Sequence, residues 1–395
     1  MPKYDFDKVI ERRGTGSVKY DAGMEITGRE DLLPMWVADM DLMLPDEVLQ
    51  SIHARTDHGI FGYSLIGDSY YDALEKWFAR RYGWTIEREW NTAVPGVVYA
   101  IACAVRAITS PGDAVLIQEP VYYPFRSMIE QNGRTCVNNE LVQKDGRFMM
   151  DTREMEELIV SQNVRAMILC SPHNPVSRVW TREELVQVDE ICRRHDVRVI
   201  ADEIHCDFIF PGSTFTPFAA LGEESLQNTI VCTAPSKTFN MAGLQVSNIL
   251  IPNAKIRARF RAVHEANGCW APNALGLTAA EAAYRYGDEW LDELLVYLQD
   301  NISYVRDYLK TYLPKLRLTE PEGTYLLWID FSGVTEDPAE LEHLIRDKAH
   351  LWLDGGAMFG KQTSLYQRIN IACPRKTLEK AMEQLRSAFT VPPHA

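Results

Sequence analysis

The sequence predicts an α/β chain with a large, mostly parallel β-sheet covered by helices on both faces, followed by a smaller α+β domain. Three observations carry that expectation. Between about residues 46 and 285, helical stretches alternate with short β-rich runs. The runs are rich in Val, Ile and Leu and do not alternate with polar residues, as strands covered on both faces tend to read. From about residue 288 the alternation gives way to one long helix and a mixed tail. Alternating β and α segments build parallel sheets, because each crossover helix returns the chain to the same edge. With 395 residues the chain is longer than one simple domain. The expected division is an N-terminal arm over 1–45 that joins the small domain, a large domain over 46–287 and a small C-terminal domain over 288–395.

The elements follow in chain order. Residues 1 to about 45 have no strong helical period and read as an extended arm. The run "AVPGVVYAIACAV", Ala93 to Val105, is apolar but too short to cross a bilayer, and its Pro-Gly marks the start of a buried helix. Strands are expected at Ala114–Gln118, Arg165–Cys170, Val197–Asp202 and Asn228–Cys232. One helix opens at Asp151 with Glu154 three residues on, and another has Thr181 as N-cap with Glu184 at the capping-box position. The long helix from Asp288 is stopped by Pro314, since proline has no amide hydrogen to continue it. A β-rich run at "TYLLWIDF", a helix near Pro338 to His350, a strand at "YQRINIA" and a last helix from Lys376 complete the chain.

Composition excludes several classes. The hydrophobic fraction of 46% is that of a soluble globular protein. A net charge of −14 argues against nucleic acid and anionic membranes as partners. The eight cysteines are scattered and form no CxxC pair, so they are expected to be reduced, buried and cytoplasmic. The first residues, "MPKYDFDKVIERRG", are charged and lack the apolar core of a secretory signal.

Chemistry-bearing residues follow the strands. "SPHNP" with Asn174 follows the second expected strand, Asp202 ends the third, and "TAPSKTFN" with Lys237 follows the fourth. In a parallel sheet these positions share the carboxyl edge, where sites gather. "VPGVV" places Gly96 at a helix start, where backbone amides attract anions. Each piece has a plain reading: "SPHNP" is a good turn, and a lone loop lysine is usually solvated. Their order along one sheet edge favours a common site.

With "PVYYPF" and "QRINIACP", these motifs resemble the fold-type I pyridoxal-phosphate enzymes, the aspartate-aminotransferase superfamily, over nearly the whole chain. The spacings of 28 residues from Asn174 to Asp202 and 35 from Asp202 to Lys237 agree with it. The resemblance implies pyridoxal 5'-phosphate as cofactor, bound by the large domain. It implies Lys237 as the Schiff-base lysine and proton-transfer base, Asp202 as partner of the pyridine nitrogen and Tyr122 as the ring stacked on the cofactor, these three being the catalytic set. Asn174 is implied to bond the ring oxygen, while Gly96, Val97, Val98 and Ser236 cradle the phosphate. His205 stands where many relatives carry a tyrosine, so either a contact to the cofactor or a satisfied neighbour of the pocket is open. Arg368 matches the arginine that grips the substrate carboxylate with a bidentate fork. Tyr123 is implied to touch substrate or simply to pack.

"LPMWVADMD", "GIFGYS", "DEIHCD" and "APSKTFN" look like the cystathionine β-lyase and cysteine C–S lyase branch. That likeness implies α,β-elimination of sulfur amino acids to pyruvate, ammonia and a thiol. It places the backbone of Val37 and Ala38 against the substrate carboxylate. It sends Tyr63 to the cofactor phosphate of a neighbouring subunit, which implies a homodimer with a shared active site. Gln245 stands where many relatives carry a phosphate-binding arginine, leaving more of that task to Tyr63, Ser236 and the helix-start amides. Two alternatives stay open at this level: an aminotransferase of the same fold, and a transcriptional modulator that uses the fold to bind a protein.

Overall fold

The computed structural model describes residues 3–390. Seven strands form the large sheet: β1 (Asn91–Val94), β2 (Ala114–Ile117), β3 (Thr135–Asn138), β4 (Val164–Cys170), β5 (Arg198–Asp202), β6 (Thr229–Thr233) and β7 (Ser247–Leu250). Their spatial order is β1–β7–β6–β5–β4–β2–β3. Neighbours from β6 through β3 are parallel, whereas β7 runs antiparallel to both β6 and β1. The strands expected from sequence are β2, β4, β5 and β6. β1, β3 and β7, of four residues each, were not expected.

Successive side chains of a strand point to opposite faces, and the core shows it. Val115, Ile117, Ile168, Ile200 and Ile230 join one apolar layer, with Ile101 and Ala104 of helix α1 (Val97–Ile108). Leu116, Met167, Leu169, Val199 and Ala201 join the opposite layer, with Met155 of α2 (Thr152–Ser161) and Leu185 and Val188 of α3 (Arg182–Arg194). Helices therefore cover both faces. The Asp151 carboxylate accepts from the amides of Arg153 and Glu154. Thr181 and Glu184 form both halves of a capping box.

Helix α4 (Asp288–Tyr312) leads to a four-stranded antiparallel sheet of β8 (Arg317–Leu318), β9 (Leu326–Asp330), β10 (Asp354–Gly355) and β11 (Tyr366–Asn370), ordered β8–β9–β11–β10. The helix expected over Pro338 to His350 is α-helical only to His343 and continues as a π-helical turn over Leu344–Lys348. The final helix, α5, covers Arg375–Thr390.

The arm is not extended throughout. It contains short helices at Val18–Asp21 and Gly23–Thr27. Leu33–Pro34 then pairs in parallel with Leu351–Trp352 of the C-terminal segment, and Trp36 stacks on Trp352 at 4.2 Å. The two acids of "WVADMD" pin the arm. Arg12 pairs with Asp39 and Asp41, each at 2.7 Å, and the buried Lys19 reaches Asp41 at 2.9 Å. Among the described residues, no helix is long and apolar enough to cross a membrane and no acidic, His or Cys cluster could hold a metal ion.

Candidate active site

The site begins with strand register. Cys170 of β4, Asp202 of β5 and Cys232 of β6 lie side by side across three neighbouring strands. Whatever follows these residues emerges at one sheet edge. Asn174 comes off β4, Asp202 ends β5, and Lys237 sits in the short helix Pro235–Thr238 after β6. The small sheet closes over them from the other side, and β11 delivers Arg368.

Between them lies a cavity of about 230 Å³. It is lined by Gly96, Val97 and Val98 at the start of α1, and by Tyr122 and Tyr123 after β2. Asn174, Asp202, His205, Ser236 and Lys237 come from the strand ends. Val37 and Ala38 of the arm and Arg368 of the small sheet complete the wall. Of the residues singled out in the sequence, Tyr63 and Gln245 lie elsewhere. Tyr63 is exposed on the loop before Asp68 and packs on Trp270 at 4.7 Å. Gln245, in the left-handed region at φ 51°, is exposed beside the same Tyr63–Trp270 patch and does not line the cavity.

The Lys237 amine donates to the Ala38 carbonyl at 2.6 Å. Burial pulls its pKa down to about 8, although the negative charges of Asp39 and Asp202 work the other way. Asp202 is buried, and the one hydrogen bond to its carboxylate among the described residues comes from the Ile204 amide at 3.2 Å. Burial pushes it up to about 7, with that amide and the Lys237 charge opposing. The His205 imidazole is driven down to about 3, first by burial and then by the charges of Lys237 and Arg368, so it is neutral near pH 7. Its Nδ1 is buried without a partner. Burial also raises the Tyr122 hydroxyl, which therefore stays protonated.

These features fit pyridoxal 5'-phosphate. Gly96 caps α1 without a side chain, so no capping group competes for the first amides of the helix, which face the cavity. Asp202 is a buried carboxyl short of donors, suited to a protonated ring nitrogen. Lys237 is an amine close to neutrality. Tyr122 offers an aromatic face beside them.

Arg368 is held more firmly than the sequence suggested. It donates to Asn174 Oδ1 at 2.9 Å and to the Trp36 carbonyl at 3.0 Å, and it forms an ion pair with Asp354. Its guanidinium also lies over the Phe359 ring at 4.9 Å. The sequence reading passed over Asp354 and Tyr325. Tyr325 donates to the same Ala38 carbonyl as Lys237, at 3.1 Å. It also missed two clamps. Asn240 bonds the Met40 amide and the carbonyls of Met40 and Leu42, while Asn370 bonds the carbonyls of Val37 and Asp39. The two asparagines end "SKTFN" and "QRIN", the one signal available for them, and together they fix the arm over the lysine.

Residues 31–385 match the aminotransferase class I and II family. Cystathionine beta-lyase PatB of Bacillus subtilis is 42% identical over 98% of this chain and 100% of its own length. Protein MalY of Escherichia coli is 33% identical, over 98% of this chain and 99% of its own. Cystalysin from Treponema denticola, whose crystal structure contains pyridoxal 5'-phosphate, superposes with a TM-score of 0.94 at 36% identity and covers 98% of each chain. The chain belongs to the aminotransferase class I and II family, in the group of cystathionine β-lyases and C–S lyases.

Proposed function

We propose that the protein is a pyridoxal 5'-phosphate-dependent carbon–sulfur β-lyase that cleaves a sulfur amino acid to pyruvate, ammonia and a thiol. When bound, the cofactor supplies an electron sink that acidifies the substrate Cα hydrogen. The chain's residues supply the rest. Lys237 takes the Cα proton, a task for which an amine brought down to about 8 is suited. Asp202 would hold the proton of the ring nitrogen, and Tyr122 would supply an aromatic face for the ring. Asn174 and the neutral His205 would bind the ring oxygen. The amides of Gly96, Val97 and Val98, with Ser236, receive the phosphate. Arg368 and the backbone of Val37 and Ala38 orient the substrate carboxylate, with Tyr123 at the substrate's far side.

The observation that carries this reading is the pairing of a buried, near-neutral Lys237 with a donor-poor Asp202 across one cavity. The identity to PatB supports elimination over transamination. The test offers cystathionine and cysteine without any keto acid and measures pyruvate, ammonia and thiol. All three are expected, and Lys237→Ala should lose them together with the visible absorbance of the lysine-bound cofactor. Turnover only with a keto-acid acceptor would reassign the protein as an aminotransferase.

The same reading includes a homodimer. Ile60, Phe61, Tyr63, Leu65 and Trp270 are exposed apolar side chains, with Leu65 92% and Tyr63 86% exposed. Exposed apolar side chains of this kind, with Tyr63 packed on Trp270, suit a second copy. Tyr63, on this patch and outside its own chain's cavity, is then free to reach the phosphate of the neighbour. The domain division at residues 45 and 287 belongs to this proposal, supported by two separate sheets and the arm's pairing with residues 351–352. A cytoplasmic location is supported by eight free cysteines.

A further inference from the structure

Lys237 is carried by a helix of only four residues, Pro235–Thr238. One turn closes too few backbone bonds to hold its own shape, so its place must come from the groups around it. Strand pairing does not reach it. Asp202 lies beside Cys232, the Glu203 amide bonds the Cys232 carbonyl at 2.9 Å, and there the backbone ladder between the two segments stops. The next hydrogen bond between them, among the described residues, runs through side chains. Thr238 Oγ1 donates to Asp207 Oδ2 at 2.6 Å, and both residues are buried.

Asp207 is the last residue of "DEIHCD", the segment that brings Asp202 and His205 to the cavity, and it does not line that cavity itself. Its other oxygen accepts from the Tyr82 hydroxyl at 2.5 Å, at the end of the helix Asp68–Tyr82. Burial, followed by the Asp207 charge, keeps that hydroxyl protonated and so able to donate. Trp77 of the same helix packs edge-on against Phe239 at 5.5 Å, which fastens the residue after Thr238 to the same support. Asp207 has no ion pair among the described residues. Burial raises its carboxyl, with the Thr238 and Tyr82 hydroxyls and the Arg81 charge opposing. Burying an acid without a paired cation costs stability, and an apolar residue would fill the space without that cost. What the acid adds is a bond directed at one hydroxyl, next to the lysine.

We propose that Asp207 is a positioning residue for Lys237: through Thr238 it fixes the turn that carries the amine, and so sets where the amine stands relative to Asp202 across the cavity. The inference rests on Lys237 as the residue that binds the cofactor and moves the Cα proton. It goes beyond that reading by assigning part of the lysine's placement to a residue outside the cavity. One segment then presents Asp202 and His205 from its start and holds the lysine turn from its end. A misplacement of ~1 Å can cost about 100-fold in rate, so loss of the bond behind the turn shows in the rate more than in substrate binding.

The experiment uses the cofactor-loaded wild type, Thr238→Val, Asp207→Leu, the double variant and Thr238→Ser. In each of the first two variants kcat for cystathionine cleavage should fall about 10- to 100-fold, with KM within about 2-fold of wild type. The double variant should fall no further than the lower single one, because both changes cut the same link. Thr238→Ser, which keeps the hydroxyl, should recover most of the loss. After removal of the cofactor, Thr238→Val and Asp207→Leu should regain the visible absorbance of the lysine-bound cofactor about 10-fold more slowly than wild type when pyridoxal 5'-phosphate is added. That uptake rate decides the inference even if cystathionine is not the substrate. A merely structural role would lower stability in urea and leave kcat and the uptake rate of the folded protein at wild-type values, and that result in Thr238→Val overturns the inference alone. A double variant in which the two losses multiply overturns the route through Thr238. A wild type that never gains the absorbance removes the reading of Lys237 and the inference with it.

Discussion

Lys237 and Asp202 face the same physical problem from opposite sides. Each is a charge placed where water is scarce, and each is pushed toward its neutral form. For Lys237 the folded pKa, about 8, lies below the ordinary lysine value of 10.5. A depressed lysine pKa means that the native state binds the proton less tightly than the unfolded state. The charged lysine therefore costs stability in full below about pH 8, and the cost fades as pH rises toward 10.5. Cofactor-free Lys237→Met should be more stable than wild type at pH 7 in urea unfolding, by on the order of 1–3 kcal/mol. The gap should shrink between pH 8 and 10.5. A variant less stable at pH 7 would show that the bond from Lys237 to Ala38 outweighs the desolvation. Lys237, Asp202 and Asn174 were legible in the sequence because each sits at the end of a recognisable strand or a few residues beyond it. Asp354 and Tyr325 were not, because their roles come from what they touch, Arg368 on the neighbouring strand and the Ala38 carbonyl 287 residues away.

Among the elements, the arm departs most from its sequence reading. It was expected to be extended for want of a helical period, yet it contains two short helices, because ion pairs and packing hold what propensity does not announce. Lys19, 1% exposed, is balanced by Asp41, which also accepts from Arg12 and from the Tyr20 hydroxyl. Removing one partner of a buried pair strands the other, so Asp41→Asn should destabilise the protein by about 3–5 kcal/mol in urea unfolding. Replacing Lys19 by Met as well should recover part of the loss, since an apolar side chain of similar volume needs no partner. Recovery absent in the double variant would place the cost elsewhere in the network. The caps at Asp151 and Thr181 were readable because a cap is a local contact within four residues. The π-helical turn at Leu344–Lys348 was not, because no residue in it differs in type from those of an ordinary helix.

The whole molecule brings together parts that no short segment contains. The large sheet supplies the lysine and the aspartate, the small sheet supplies Arg368, and the arm threads between them under the clamps of Asn240 and Asn370. In the proposed homodimer, the exposed loop with Tyr63 would extend the assembly to a second copy. Sedimentation should give a mass near twice 45.1 kDa. Leu65→Asp places a charge on the apolar patch and should shift the protein toward monomer while weakening cofactor retention. Tyr63→Phe should keep the dimer and lower cofactor affinity several-fold, since one hydrogen bond to an anion is lost and Gln245 offers no charge in its place. Cofactor affinity equal to wild type in Tyr63→Phe would argue against the shared site.

The sequence by itself determined the class of fold, the edge on which chemistry gathers and the identity of the reactive groups. Those properties follow from the alternation of apolar runs, from caps and from residue type, all of which are local. Tertiary structure alone decided that Asp354 holds Arg368 and that His205 is neutral with one nitrogen unpartnered. Each of these depends on burial or on a partner outside its own strand. Lys237, uncharged company on every side in the sequence, became a near-neutral amine only once the arm and the small sheet had closed over it.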